Sequence, residues 1–379
     1  MDRTSRGTMR IVQSFLGAFL AAVLAASPAN AQAPEPTQPT QPTQPTQQAD
    51  MRMNAESRRQ LIDSLVEELK DSYVFPDRAR QAEAALRAQQ QRGAYDGIGS
   101  AQQLSEVLTR ELQATTKDRH LHVSYSAEPL PLRKPASAPS REAMAGRLAM
   151  MRSENFGVRK IEHLPFNIGY LELNGVFSAD DARETIAAAM GVLAHTDALI
   201  IDLRDNRGGD AATVKLLAGY LFDRPVRLND FSYRRGERFE QRWSAVVAPA
   251  LRYGQKKELV ILTSKETFSA AEDFSYALKN LKRASVVGET TGGGAHPGDD
   301  RRLSPHFSVF MPLGRSISPI TKSNWEGVGV TPDIGVPAKD ALRTAQLAIL
   351  KKMAAAEQDA GRLAYLNTRM AELGARAAH

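Results

Sequence analysis

No cysteine occurs among the 379 residues. That excludes disulfide bonds, a thiolate nucleophile and lipid attachment through cysteine. The folded part must rely on a sizeable apolar core, and the length allows one large domain plus a smaller one. No block of Lys and Arg with interleaved aromatics occurs either, so nucleic acid is not an expected partner. Net charge is +6, and residues 1–31 hold three Arg against one Asp, which leaves the remainder nearer +4. A balance of that size reads as solubility. Beyond a short Pro-Thr-Gln tract there is no internal repeat.

What is present begins with a leader. Arg3, Arg6 and Arg10 precede an apolar run from Ile11 to Ala26, and Ala29-Asn30-Ala31 follows as a small-x-small cleavage signal. The run is short for a membrane span, and basic, apolar and small residues in this order describe a secretory signal peptide over 1–31. The protein is therefore expected to be exported, periplasmic or secreted, with no stable membrane span after cleavage. Residues 32–50 form a Pro/Thr/Gln-rich linker, because such a segment buries no apolar surface and favours extended conformations.

Residues 51–115 read as an N-terminal helical bundle. Leu61, Leu65, Val66, Leu69 and Tyr73 recur at helical spacing, with Pro76 marking the end. A second helix is expected from about Ala79 to Gln91. A third starts at Ser100, with Gln103 completing a capping box. Residues 129–150, rich in Pro, Ser, Ala and basic side chains, read as loop with a short helix. Residues 116–345 have another rhythm. Ile168–Leu173, Ala198–Leu203, Glu258–Thr263 and Ala284–Gly288 read as strands, with helices over Ala211–Leu221 and Ser269–Leu281. Alternation of this kind gives an α/β core with at least partly parallel sheet. Residues 346–379 read as a C-terminal helical segment.

Four places could carry chemistry. Ser269, in Thr267-Phe-Ser-Ala-Ala-Glu272, sits where a buried strand hands over to a helix. Free backbone N–H groups and the positive helix end there can stabilise an oxyanion. Ser-x-x-Glu is equally the pattern of a helix cap. A serine nucleophile needs a base, and His120 begins a strand-like stretch. His120 and His122 share a face, which raises a metal reading, but no third ligand at a familiar spacing accompanies them. Asp202-Leu-Arg-Asp-Asn-Arg-Gly-Gly209 ends a buried strand in a glycine turn whose N–H groups can face a ligand. Glu326, in a glycine-flanked turn, could orient a histidine or a water.

In order, Asp118-Arg-His-Leu121, Asp202–Gly209, Thr267–Glu272, Gly288-Glu-Thr-Thr-Gly-Gly293 and Gly327-Val-Gly-Val-Thr-Pro-Asp333 resemble peptidase family S41. That family takes in C-terminal processing peptidases, tricorn core peptidases and interphotoreceptor retinoid-binding protein modules. The resemblance covers roughly residues 115 to 340, and the preceding helices resemble the N-terminal bundle of the retinoid-binding-like branch. It implies a crotonase-like ββα spiral and a serine peptidase acting through an acyl-enzyme on a peptide or protein substrate. Ser269 would be the nucleophile, His120 the general base and Glu326 the supporting carboxylate. The N–H groups of Gly208 or Gly209, with Ala270, would form the oxyanion hole. No metal or other cofactor is expected. Two departures stand out. Processing peptidases carry a lysine where this chain has Gly294, and the tricorn-like pattern has a serine where this chain has Arg119. No stretch suggests a PDZ domain. The alternative on the same fold is a binding protein for an apolar ligand with little or no hydrolysis. Another acyl hydrolase is a further alternative.

Overall fold

The apolar stripe on the first helix is buried as its spacing predicts. The computed structural model describes residues 49–132 and 141–375. The signal peptide, nearly all of the linker and the last four residues lie outside the described residues. α1 (Ala55–Ser72) buries Leu61, Leu65, Val66 and Leu69. This helix ends at Ser72, before Pro76 as expected, but the second helix starts earlier than about Ala79. Pro76 opens α2 (Pro76–Gln91) as its first residue, where the fixed φ suits a helix and the missing N–H is not needed. α3 (Ala101–Thr116) is capped by Ser100, whose hydroxyl accepts from the Gln103 N–H at 2.9 Å. β1 (His122–Tyr125) follows, then α4 (Arg141–Ser153), which ends a stretch expected to be mostly loop. The bundle shares its core with Val123 of β1 and with Phe307, Val309 and Met311 from far along the chain.

The second part runs β2 (Val158–Leu164), β3 (Ile168–Leu173), α5 (Ala179–Leu193), β4 (Ala198–Asp202) and α6 (Ala211–Leu221). It continues with β5 (Asp230–Tyr233), β6 (Phe239–Glu240), β7 (Glu258–Thr263), α7 (Ala270–Asn280) and β8 (Ser285–Gly288). β9 (Gly298–Arg302), β10 (Phe307–Pro312), β11 (Gly314–Ile317), β12 (Ile334–Gly335), α8 (Ala338–Ala356) and α9 (Ala360–Ala375) complete it.

A six-stranded sheet in the order β12-β8-β7-β4-β3-β2 forms the centre. Its strands are parallel except β2, which runs against β3. Alternate residues of β4 and β7 serve opposite cores. Leu199, Ile201, Leu259 and Ile261 pack with α5, α6 and α7. Ile200, Val260 and Leu262 pack with α8 and α9. That two-sided burial is why these strands read as unbroken apolar runs. The core is the expected crotonase-like α/β spiral. Two small antiparallel sheets, β1-β10-β9 and β11-β5-β6, stand beside it. The loops after β4, β7 and β8 leave the carboxyl ends of adjacent parallel strands, where ligands of open α/β sheets bind. Among the described residues no helix is long and apolar enough to cross a membrane.

Candidate active site

Two strand-end loops are tied together before they present any chemistry. The Thr267 hydroxyl donates to the Leu203 carbonyl at 2.7 Å, and the Phe268 N–H donates to the Asn206 carbonyl at 3.0 Å. Ser269 follows at φ 54° and ψ −118°, a conformation that residues other than glycine seldom adopt. Its N–H donates to Glu272 Oε2 at 2.8 Å, as a capping-box glutamate would accept. Glu272 also accepts from the N–H groups of Gly293 at 2.6 Å and Gly294 at 2.8 Å, and from the Thr291 hydroxyl. This fully buried carboxylate therefore fixes the glycine turn against the start of α7. Burial pushes its pKa up, against the pull of these donors.

The Ser269 hydroxyl meets His120 across 149 positions of sequence, with Oγ 3.0 Å from Nε2. The imidazole lies between Phe268 and Phe310, with ring centroids 4.6 and 5.5 Å away. A Cβ placed on Gly294 would stand 2.6 Å from His120 Cε1. The glycine found in place of the processing-peptidase lysine thus makes room for this ring, and a side chain there would displace it.

Behind His120 lies a buried polar cluster. Asp118 Oδ1 accepts from the His120 backbone N–H at 3.1 Å. Asp118 Oδ2 accepts from the Tyr73 hydroxyl at 3.0 Å and pairs with His296 Nδ1 at 2.7 Å. Glu326 accepts from the N–H groups of Arg119 at 3.2 Å and Ala295 at 2.5 Å, and its Oε2 is 3.4 Å from His296 Nδ1. The turn carrying Glu326 thus reaches the neighbourhood of His120 through the backbone of Arg119 and Ala295. Among the described residues, His120 Nδ1 is buried with no hydrogen-bond partner. Asp118 and His296 were not assigned roles from sequence. Asp118 stood in a quoted motif, while His296 followed the glycine run with no pattern of its own to mark it.

Burial drives His120 down to about 4, opposed by the charge of Asp118. Glu326 is pushed up to about 7, chiefly by burial, with His296 opposing and Asp118 adding to the rise. Burial also works to raise Asp118, but the hydrogen bond from His296 and the nearby imidazoles hold it below the usual carboxylate range. Ligand atoms of Asp118, His120 and Glu326 lie within 4.8 Å of one another, so these three could hold a cation. His122 is not in that group. Its Nδ1 turns to the His120 carbonyl at 2.7 Å, and its ring stacks on Phe310.

The amides near Ser269 are not equivalent. The Gly208 N–H already donates to Asn206 Oδ1 at 2.9 Å, which removes it from the expected oxyanion pair. The N–H groups of Gly209 and Ala270 have no partner among the described residues. Gly208 instead packs on the serine, for a Cβ there would stand 2.6 Å from Ser269 Cβ. A cleft of about 570 Å³ opens over this centre, lined by Ser269, His120, Gly209, Ala270, Phe231 and Phe310 among others.

A model of peptidase family S41 matches residues 167–336, and a model of the N-terminal domain of that family in eukaryotic IRBP matches residues 29–157. The chain belongs to peptidase family S41. Within the family, carboxyl-terminal-processing peptidase 2 of Arabidopsis thaliana, a chloroplastic protein, is 30% identical over 174 residues. That match covers 45% of this chain and 32% of the relative, so the S41 chain spans about a third of that relative's length. Among solved structures, mature CPAF is 13% identical with a TM-score of 0.51, over 76% of this chain and 94% of that one. A candidate peptidase from Parabacteroides merdae is 18% identical with a TM-score of 0.51, over 74% and 90%. Likeness at that level places the S41 chain in a fold and says nothing finer.

Proposed function

We propose that this chain is an exported serine peptidase that hydrolyses peptide bonds through an acyl-enzyme. The observation that carries the reading is Ser269 Oγ at 3.0 Å from His120 Nε2, beside two amides without partners. Ser269 Oγ attacks the carbonyl carbon while its proton passes to His120 Nε2. The N–H groups of Gly209 and Ala270 receive the oxyanion. The imidazolium returns the proton to the leaving amine, and water repeats the sequence to release the acid. Asp118 and Glu326 are the negative charges close enough to stabilise that imidazolium. Tyr73, from the end of the first bundle helix, and His296 position Asp118. Export rests on residues 1–31, and a peptide or protein substrate rests on the family.

The test is mass-spectrometric profiling of cleavage in a peptide library, comparing wild type with Ser269→Ala. New termini in both samples alike would remove the peptidase reading.

The pH dependence follows from the cluster. An unperturbed histidine titrates near about 6.5. With its pKa near 4, His120 is already neutral through the neutral range, and the group that titrates near 7 is Glu326. We expect kcat/KM to rise through pH 7 as Glu326 ionises. Glu326→Gln should lose that limb and keep only the one near 4. Stability moves the other way. A folded pKa above the unfolded value of 4.5 means that the folded state holds the extra proton between 4.5 and about 7. The stabilising contribution is full below 4.5 and lost as pH rises through 7. Between pH 5 and pH 8, Glu326→Gln should therefore gain roughly 1–3 kcal/mol on wild type in chemical denaturation. Parallel curves for the two proteins would contradict the assignment.

A further inference from the structure

A buried hydroxyl beside the cleft has no hydrogen-bond partner among the described residues. Ser316 on β11 is 1% exposed, lines the same cleft as Ser269, and its Oγ makes no hydrogen bond among the described residues. Its backbone is fully engaged: its N–H donates to the Ala295 carbonyl at 3.0 Å, and its carbonyl accepts from Asn324 Nδ2 at 2.8 Å. The side chain is therefore held in place with its one polar atom unused. Buried polar groups are rarely left so, and one in the wall of a cleft needs an explanation.

The surroundings define what could use it. Phe231 is the cross-strand partner of Ser316 in the β11–β5 pair, so both side chains stand on one face. Trp325 also lines the cleft, and its indole N–H is taken by the Gly294 carbonyl at 2.7 Å. From α7 come Ala270 and, one turn on, Asp273. Asp273 would make this a site for a cation, but its charge is spent. Arg242 pairs with it at 2.6 Å, Asn229 Nδ2 donates to its other oxygen at 2.8 Å, and both Arg242 and Asp273 are buried. Arg242 is itself satisfied by the Ala211 carbonyl and lies 4.1 Å from the centre of the Phe231 ring. A basic substrate side chain would have to displace Arg242, and an acidic one would face Asp273. Arg119, Arg207 and Asp210 line the same cleft, but the part of the wall formed by Phe231, Ser316, Trp325 and Asp273 offers aromatic faces, a neutralised ion pair and one unpaired hydroxyl, a subsite for an uncharged side chain that carries a hydrogen-bonding group.

We infer that the cleft beside Ser269 takes a neutral polar substrate side chain, a carboxamide or a hydroxyl, with Ser316 Oγ as its hydrogen-bond partner. The inference builds on the peptidase reading and names the substrate class for the same cleft. An aliphatic residue of similar size would bury the hydroxyl unpaired, whereas Asn, Gln or Thr would satisfy it. A single neutral hydrogen bond in such a setting distinguishes the two by roughly 3- to 10-fold.

The experiment uses peptides that vary one position at a time among Asn, Gln, Thr, Leu, Val, Lys and Asp. Their affinities are measured for the full chain carrying Ser269→Ala, and for Ser269→Ala/Ser316→Ala. Cleavage of the same peptides by the wild type is measured in parallel. One position should prefer Asn, Gln or Thr over Leu and Val by roughly 3- to 10-fold and reject Lys and Asp, and Ser316→Ala should abolish the polar preference. Removing an unpaired hydroxyl should leave the fold intact, which unchanged near-ultraviolet circular dichroism would verify. No position with a polar preference, or one that survives Ser316→Ala, overturns the subsite. If the binding preference is found but wild type cleaves no peptide, the subsite stands and the peptidase reading falls.

Discussion

Ser269→Ala should reduce turnover by roughly 10⁴- to 10⁶-fold while the protein stays folded. The residue has two descriptions that differ in this outcome. As the N-cap of α7, it would cost about 0.5–2 kcal/mol on substitution and leave any activity nearly untouched. As the nucleophile, it supplies the atom that forms the acyl bond, and nothing nearby replaces it. The geometry favours the second description. The reciprocal capping box with Glu272 is present, and it leaves the same hydroxyl 3.0 Å from His120 Nε2, a contact that a cap alone does not call for. The backbone at φ 54° is unfavourable for serine and alanine alike, so the substitution does not alter that strain. The measurement is kcat/KM on a cleaved peptide together with the thermal midpoint. A rate within tenfold of wild type from a folded variant would return Ser269 to the status of a cap.

His120→Ala should lose about 10³- to 10⁶-fold, and the double variant with Ser269→Ala should be no worse than the poorer single one. Residues that act as a unit fail to add, because neither has a function without the other. The low pKa of His120 has a consequence here. A base near 4 is neutral throughout the neutral range, and accepting the serine proton creates a buried imidazolium that burial disfavours. The negative charge close to the ring must therefore stabilise it as it forms. Asp118 is fully buried and held by Tyr73, His296 and the His120 N–H, and so cannot turn away. The variant removes a ring packed between Phe268 and Phe310, so circular dichroism must accompany the kinetics. Equal and additive losses in the two single variants would show that serine and histidine act separately.

Much of this was legible in the sequence, and the limits have physical reasons. β4 and β7 are buried on both faces, so their composition alone marks them. α6 and α7 follow from the strand–turn–helix rhythm to within a residue. The start of α2 was placed three residues late because proline both follows helices and opens them, and Pro76 does both. β9 went unseen because Gly298–Arg302 reads Gly-Asp-Asp-Arg-Arg, without apolar alternation. Its pairing with β10 comes from backbone hydrogen bonds that carry no side-chain signature. The contact of Ser269 with His120 joins loops far apart in the chain, and it was anticipated through resemblance and not through spacing. Tyr73 was read as a core residue of the first helix. Its hydroxyl's contact with Asp118 depends on how the bundle docks, as does the edge-on packing of Phe75 against His296. His296 is one residue among glycines and alanines whose meaning appears only once Asp118 and Glu326 converge on it. Gly208 shows the same limit at finer scale, since its amide, one of those the resemblance implied for an oxyanion hole, donates to the side chain of Asn206, two residues before it.

The central claim is that Ser269 is activated by His120, and covalent labelling tests it without knowledge of the substrate. Wild type, Ser269→Ala and His120→Ala would be treated with a serine-directed phosphonate, and the adduct would be mapped by peptide mass spectrometry. A single adduct at Ser269 in wild type, absent in Ser269→Ala and formed far more slowly in His120→Ala, is the result expected. A folded wild type that stays unlabelled would contradict the account and leave the cleft as a binding site on an S41 fold.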